Sequence, residues 1–441
     1  MSLKSRVRNS EFLSFLNWKT EDGKGRRCML LSSFLSTVIS CISTGALYTA
    51  FLAAYDFSIV DTAFLGIIPS LAACFSLLSP VFLERFQKRR WLLAVGKLSS
   101  YLLDLLCLTL LAMFVKNPAA RLTGISVIML ASNLTKNLFS SGYSVWHLNF
   151  IPEKLRARHF SYQQIITTAA TLLSLFLFGF LADSLKGTPH EAAILTAMRF
   201  VALGFALLDV VILCLPKEYP YRKKEASIRL VNIIRLPMKH KKFLMTMLFI
   251  SMWNFAAAFP ASAWTYHLLN NIGTGVTMTN LFSVFTILCL FTTPYWRRVI
   301  DKVSWFRTFA YCAMIHAPAS IFMSFILPEN YVWLYPVSVF IQAFAGIGLN
   351  LSSANLPFIN TPAEDQTYYL AFHTAISSLG TFLGSSAGAA FVKIFDGTVF
   401  SIFGRAFAIA PVMLLVQFVL YGICIGYIFL NHRRLQPAND F

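Results

Sequence analysis

The chain has 441 residues, of which 57% are hydrophobic and only 13% charged, and it carries 42 Phe at a mean hydropathy of +0.64. Soluble proteins carry about 25% charged residues, so too little polar surface is present to cover a water-soluble globule of this size. Disordered, collagen-like and coiled-coil chains are excluded by the same composition, which leaves an all-α integral membrane protein. The formal charge of +18 does not point to nucleic acid, because the basic residues fall in short gaps between apolar stretches rather than on one face.

In chain order, residues 1–28 form a polar, basic N-terminal tail with no apolar core or cleavage site, so no signal peptide is expected. A membrane-spanning helix needs about 20 apolar residues. Six such segments follow within residues 29–215: Met29–Ala54, Thr62–Leu83, Trp91–Val115, Thr123–Asn149, Phe160–Ala182 and Ala192–Leu215. A basic linker, 216–242, separates them from six more within 243–430: Phe243–Leu268, Thr277–Tyr295, Phe309–Leu327, Trp333–Asn355, Tyr369–Phe391 and Phe407–Leu430. Residues 431–441 form a C-terminal tail. Within the linker, Ala226–Leu236 has the pattern of an interfacial amphipathic helix. Alternating the loops places 29 of the 37 Lys and Arg on one side and five on the other. The positive-inside rule then puts both termini in the cytoplasm.

The eight Cys are scattered singly, with no spacing for a metal site or disulfide framework. No phosphate-binding glycine loop, His pair or paired catalytic carboxylates are present, so no enzyme activity, cofactor or metal is expected.

The two halves repeat weakly. Leu148-Asn149-Phe150-Ile151 returns as Leu356-Pro357-Phe358-Ile359, and the turn Glu84-Arg85 has a counterpart in Asp301-Lys302. After span two, Glu84-Arg85 is followed by the basic run Lys88-Arg89-Arg90. After span four, Ile151-Pro152-Glu153-Lys154-Leu155-Arg156 forms a proline–acid–arginine turn. In these features the chain resembles the major facilitator superfamily, although Pro80 and Gln87 stand where the family's turn carries glycine. The resemblance implies a secondary transporter of twelve helices in two six-helix halves that works by alternating access, with spans one, four, seven and ten lining a central cavity. It also implies that Glu84, Arg85, Arg89, Asp301 and Lys302 form a conformational gate. Span five lacks the glycine–proline pattern of many drug exporters in the family, which demotes drug export.

Five charges lie inside spans: Lys97, Lys136, Arg199, Asp104 and Asp209. A charge at hydrocarbon depth is costly and marks a pathway or a partner. Lys136 is the leading substrate-binding candidate, because Asn133, Lys136, Asn137 and Ser140 share one helical face with Ser144 and His147. A structural ion pair with Asp104 is its competing role. Ser40 and Thr44 in span one, Asn254 in span seven, and Gln342 and Asn350 in span ten complete the candidate cavity. Asp104 and His373 are the candidates for proton coupling. Arg199 and Asp209 are expected to snorkel toward the ends of span six.

The expected function is transport of a small polar or anionic solute, with protons as a coupling partner. Export of amphipathic drugs or lipid-like molecules is the alternative, and a solute sensor that moves nothing is a third reading. The expected setting is the lipid bilayer of a plasma membrane, specifically a bacterial cytoplasmic membrane, with the chain as a monomer.

Overall fold

The computed structural model describes residues 21–83, 86, 88–148, 151, 156–218, 230–359, 366–402 and 404–435. Each predicted span is mainly helical over its described residues, with short breaks such as those at Thr44, at Phe259 and Pro260, and at Asn280. Span twelve starts at Ile409 because Phe407 belongs to a β-strand. Among the described residues, nine helices are long and apolar enough to cross a membrane. Spans four, eight and nine are the other three. Span four (Pro118–Leu148) is one unbroken helix, but Asn133, Lys136 and Asn137 dilute its apolar run. Span eight is divided into Leu281–Cys289 and Thr293–Val303 by a 3-10 turn, and span nine (Trp305–Ser324) carries His316 and Pro318.

Span one is helical from Glu21, the first described residue of this segment, so its helix extends ahead of the apolar run. It continues to Ala54 but is interrupted at Gly45, whose φ of 66° a residue with a Cβ rarely adopts. Span two starts at a reciprocal cap: the Ser58 hydroxyl accepts from the Asp61 amide at 3.2 Å, and the Asp61 carboxylate accepts from the Ser58 amide at 3.0 Å. Span three (Arg90–Phe114) contains a widened π turn, Leu102–Cys107, which carries Asp104. Spans five and six occupy Arg156–Ser184 and Glu191–Cys214.

Span seven (Lys241–Ile272) bends at Pro260 and ends in a second π turn, His267–Ile272. Spans ten and eleven are Tyr331–Ile359 and Gln366–Ile394. A short antiparallel hairpin, Phe400–Ile402 against Arg405–Phe407, precedes span twelve (Ile409–Leu435). Of the predicted interfacial helix, residues 226–229 lie outside the described residues and Leu230–Arg235 is helical.

The chain divides into two compact units, Met1–Tyr48 with Leu78–Ser227 and Thr49–Leu77 with Ile228–Phe441. In the first, Met29, Leu83, Leu93, Ala94, Phe139, Trp146 and Leu213 form a packed cluster. In the second, a larger cluster gathers Phe243, Phe249, Phe306 and Phe309, and Trp253 stacks on Tyr421 with ring centroids 4.4 Å apart. Many large apolar side chains remain outward, such as Phe180 and Phe291, as a lipid-facing surface requires.

Span eleven packs on span seven through Gly380, Gly384 and Gly388, spaced four apart. A Cβ on Gly384 would stand 2.3 Å from the Phe255 carbonyl oxygen. Small residues at this spacing let two membrane helices approach backbone to backbone. Gly384→Val should therefore lower stability by about 1–3 kcal/mol in thermal unfolding of the purified protein. Gly422→Ala, where a Cβ meets nothing within 4 Å, should leave it unchanged. Equal melting of both variants would contradict the close approach.

His159 lies on the helix of span five but ahead of its membrane-spanning stretch, Tyr162–Ser184, and is only 1% exposed. Burial first, and the charge of Arg26 second, push its pKa down from 6.5 to about 4. The folded protein thus holds His159 neutral, and unfolding takes up a proton between these two values. Its contribution to stability is complete above pH 6.5 and declines as the pH falls toward 4. His159→Leu should flatten the dependence of melting temperature on pH across that window; an unchanged slope would show that His159 does not set it.

Candidate functional site: a charged cavity in the first unit

A cavity of about 430 Å³ opens within the first unit, walled by spans one, three, four and five. Span one contributes a face of hydroxyls, Ser33, Ser36, Ser40 and Ser43, repeating at three- and four-residue intervals. Span three contributes Lys97, Tyr101 and Asp104, span four Ser132, Lys136, Ser140 and Tyr143, and span five Gln163 and Thr167.

Two ion pairs frame this cavity, and both reach back to span six. Lys97 Nζ lies 2.7 Å from Asp209 Oδ2, and Asp209 is fully buried. Its carboxylate also accepts hydrogen bonds from Ser32 at 2.5 Å, Ser36 at 3.0 Å and Tyr101 at 2.8 Å. Lys97 in turn donates to Ser32 Oγ at 3.2 Å and Ser36 Oγ at 3.3 Å. An ammonium has three N–H donors, so those of Lys97 are all used. Its ammonium also stands over the rings of Tyr101 and Tyr143, 5.9 and 5.6 Å from their centres.

The second pair is looser. Arg199, only 1% exposed, approaches the Asp104 carboxylate at 3.7 Å, and Asp104 remains 28% exposed on the cavity side. The guanidinium also donates to the Thr109 hydroxyl at 2.7 Å and to the Asp104 carbonyl, within the π turn, and lies over the Tyr48 ring. A π turn inside a helix is a frequent companion of functional sites.

Arg199 and Asp209 therefore do not snorkel. They sit deep in the first unit and supply the counter-charges of span three. The sequence signal that located them was their charge alone; the added signal was on span three, where Lys97, Tyr101 and Asp104 recur on one face. Tyr101, Gln163 and Tyr143 carried no charge and escaped notice.

Lys136 and Ser140 line the cavity, as does Ser40. Asp104 is taken by Arg199 rather than by Lys136, although the charge of Lys136 also acts on its carboxylate. Among the described residues Lys136 makes no hydrogen bond and no ion pair within 4.0 Å. Asn133 and Asn137 are absent from the cavity lining; their side-chain amides donate to the Met129 and Asn133 carbonyls, at 2.8 and 2.9 Å. Thr44 likewise donates to the Ser40 carbonyl at 2.7 Å. The side chains of Ser144 and His147 lie outside the described residues.

In the second unit, Ser377 joins two of the candidates: Asn254 donates to its carbonyl at 3.4 Å, and its hydroxyl lies 3.3 Å from His373 Nε2. The Gln342 carbonyl faces His316 Nδ1 at 3.4 Å, and the Asn350 carbonyl accepts from Ser353 at 3.2 Å. Of the gate residues, Glu84 and Arg85 lie outside the described residues. Arg89 is buried and donates to the Phe86 carbonyl at 3.0 Å, whereas Asp301 and Lys302 are exposed on span eight.

Removing one member of a buried pair leaves the other uncompensated, at a cost of about 3–5 kcal/mol. Asp209→Ala should show this loss in thermal unfolding, and the double variant Lys97→Met/Asp209→Leu should recover most of it. Asp209→Ala melting like the wild type would contradict the pairing.

The family model for the Major Facilitator Superfamily matches residues 29–385. Among solved structures, the nucleoside transporter NupG has a TM-score of 0.70 at 11% identity, covering 93% of this chain and 99% of that one. A D-xylose-proton symporter has a TM-score of 0.63 at 13% identity, covering 95% and 98%. A bacterial homologue of the human lysosomal transporter Spinster, inward-facing and occupied, has a TM-score of 0.65 at 13% identity, covering 93% and 98%. At these identities the likeness is one of fold, all-α with twelve transmembrane helices. No curated protein matches the chain by sequence. The match to the family model over most of the chain identifies it as a multi-pass membrane transporter of the Major Facilitator Superfamily.

Proposed function

We propose that this transporter moves a small polar or anionic solute by alternating access, with Lys136 binding the solute's anionic group. The carrying observation is the contrast between two cavity lysines. Lys97 has every donor engaged, whereas Lys136 has none engaged among the described residues. Around the cavity three cations (Lys97, Lys136, Arg199) face two anions (Asp104, Asp209), so one positive charge is in surplus at Lys136. In a low-dielectric wall such a surplus attracts an anion.

In this reading Ser40 assists Lys136, and Ser140, whose hydroxyl donates to the Asn137 carbonyl at 2.8 Å, acts with Asn133, Asn137 and Thr44 only after their side chains turn from the helix backbone. Asn254, Gln342 and Asn350 supply the second half's contacts. Asp104 exchanges the coupling proton, since it is partly exposed to the cavity and held by one loose pair; His373 is the second candidate. Residues 29–215 and 243–430 are the two halves, 216–242 the cytoplasmic linker, and 1–28 and 431–441 cytoplasmic tails. Glu84, Arg85, Arg89, Asp301 and Lys302 form the gate that the halves release on switching. The chain acts as a monomer in a bacterial cytoplasmic membrane. The polar cavity weighs against amphiphile export, which would leave its charges facing an apolar solute.

Purified protein in liposomes tests this reading. Lys136→Ala should lower anion uptake about tenfold or more, the loss expected for a charge-assisted hydrogen bond. Uptake should depend on a proton gradient, and Asp104→Asn should abolish that dependence. Normal uptake by Lys136→Ala would remove the site; uptake indifferent to pH in both proteins would remove the coupling.

A further inference from the structure

We infer that the solute is a polyhydroxylated monocarboxylate of monosaccharide size, that is, a sugar acid. The inference rests on the reading of Lys136 as the anion site and adds the remainder of the molecule.

The charge arithmetic selects a single negative charge. In the state with Asp104 ionised, two of the three cations are already matched, Lys97 by Asp209 and Arg199 by Asp104, so a monoanion at Lys136 completes neutrality. A dianionic phosphate would leave one negative charge uncompensated in a low-dielectric site. A zwitterion would leave the positive surplus untouched, and its ammonium would compete with Arg199 for Asp104.

The uncommitted polar groups select hydroxyls. Among the described residues, the Ser40 and Ser43 side chains make no hydrogen bond, although both face the cavity. Gln163 gives one of its two amide hydrogens to Ser33 at 3.0 Å, which leaves its carbonyl oxygen as an acceptor beside a second donor. The exposed part of Asp104 is a further acceptor. The open groups thus mix donors and acceptors on spans one, three and five, and a chain of hydroxyls, each both donor and acceptor, matches that mixture. An alkyl carboxylate would satisfy Lys136 and strand the rest, which desolvation penalises. The cavity volume of about 430 Å³ is ample for a six-carbon solute.

Ser33 accepts from Gln163 and keeps its own hydroxyl hydrogen, while the wall hydroxyls other than Ser33, Ser40 and Ser43 already donate elsewhere. Thr37, Ser100 and Ser132 donate to backbone carbonyls, and Ser36 serves the Asp209 cluster. Specificity therefore falls on Ser33, Ser40, Ser43, Gln163 and Asp104.

The experiment is counterflow into liposomes holding the full-length protein, with labelled D-gluconate, D-glucose, hexanoate, glucose 6-phosphate and serine. Gluconate flux should exceed each of the others by about tenfold, the order of one lost charge-assisted hydrogen bond. The double variant Ser40→Ala/Ser43→Ala should lower the gluconate-to-hexanoate ratio by about tenfold, and its thermal unfolding shows whether it remains folded. Hexanoate flux equal to that of gluconate, or a ratio unmoved in the folded double variant, overturns the sugar-acid class and leaves the anion reading standing. Serine or glucose 6-phosphate moving fastest also overturns it. Glucose matching gluconate, or no solute moving at all, overturns both readings.

Discussion

A carboxylate with no solvent contact at hydrocarbon depth has to be answered from every side, and Asp209 organises the first unit around that requirement. Its two oxygens receive Ser32, Ser36, Tyr101 and Lys97, drawn from spans one and three. Three helices are tied at one point, at an energetic cost that rises steeply if any one member is lost. The hydroxyls of span one serve both partners, accepting from the ammonium and donating to the carboxylate. Lys97 is thereby removed from the pool of cavity cations although it lies on the cavity wall.

The same accounting gives Asp104 and Lys136 their different character. Arg199 is satisfied chiefly by Thr109 and the Asp104 carbonyl, and its hold on the Asp104 carboxylate is long. Asp104 stays partly open to the cavity, and Lys136 stands on the facing helix without a direct partner among the described residues. A tight, closed cluster and a loose, open one thus occupy one cavity. Rigidity belongs to the first and exchange with solute or proton to the second.

The transporter reading needed the repeated halves and the family resemblance of the Glu84-Arg85 turn, whereas the length of the apolar runs was sufficient for twelve membrane segments, because hydrocarbon thickness leaves little freedom in span length. The polar stripe of span four was legible for the same reason, and Lys136 and Ser140 do line the cavity. Pairing was not legible. Helical spacing says which residues share a face of one helix and nothing about which helix lies opposite, so the sequence offers Lys136 as a partner for Asp104, in its competing role, and not Arg199, which holds it. The snorkelling expected of Arg199 and Asp209 followed from their position near span ends, and the opposing donors on spans one and three overrode it. Asn133 and Asn137 had the right face but found nearer acceptors on their own helix. The glycine contacts between spans seven and eleven were written in the sequence as Gly380, Gly384 and Gly388, a spacing that the hydropathy pattern hides.

The central claim is that one lysine of this cavity is chemically open and the other is closed. Labelling of the folded protein with a small amine-reactive reagent, read out by peptide mass spectrometry, tests it directly. The account predicts that Lys136 is modified, that Lys97 is spared until the protein is unfolded, and that an anionic solute protects Lys136. Equal modification of both lysines, or labelling of Lys97 in preference to Lys136, would contradict it.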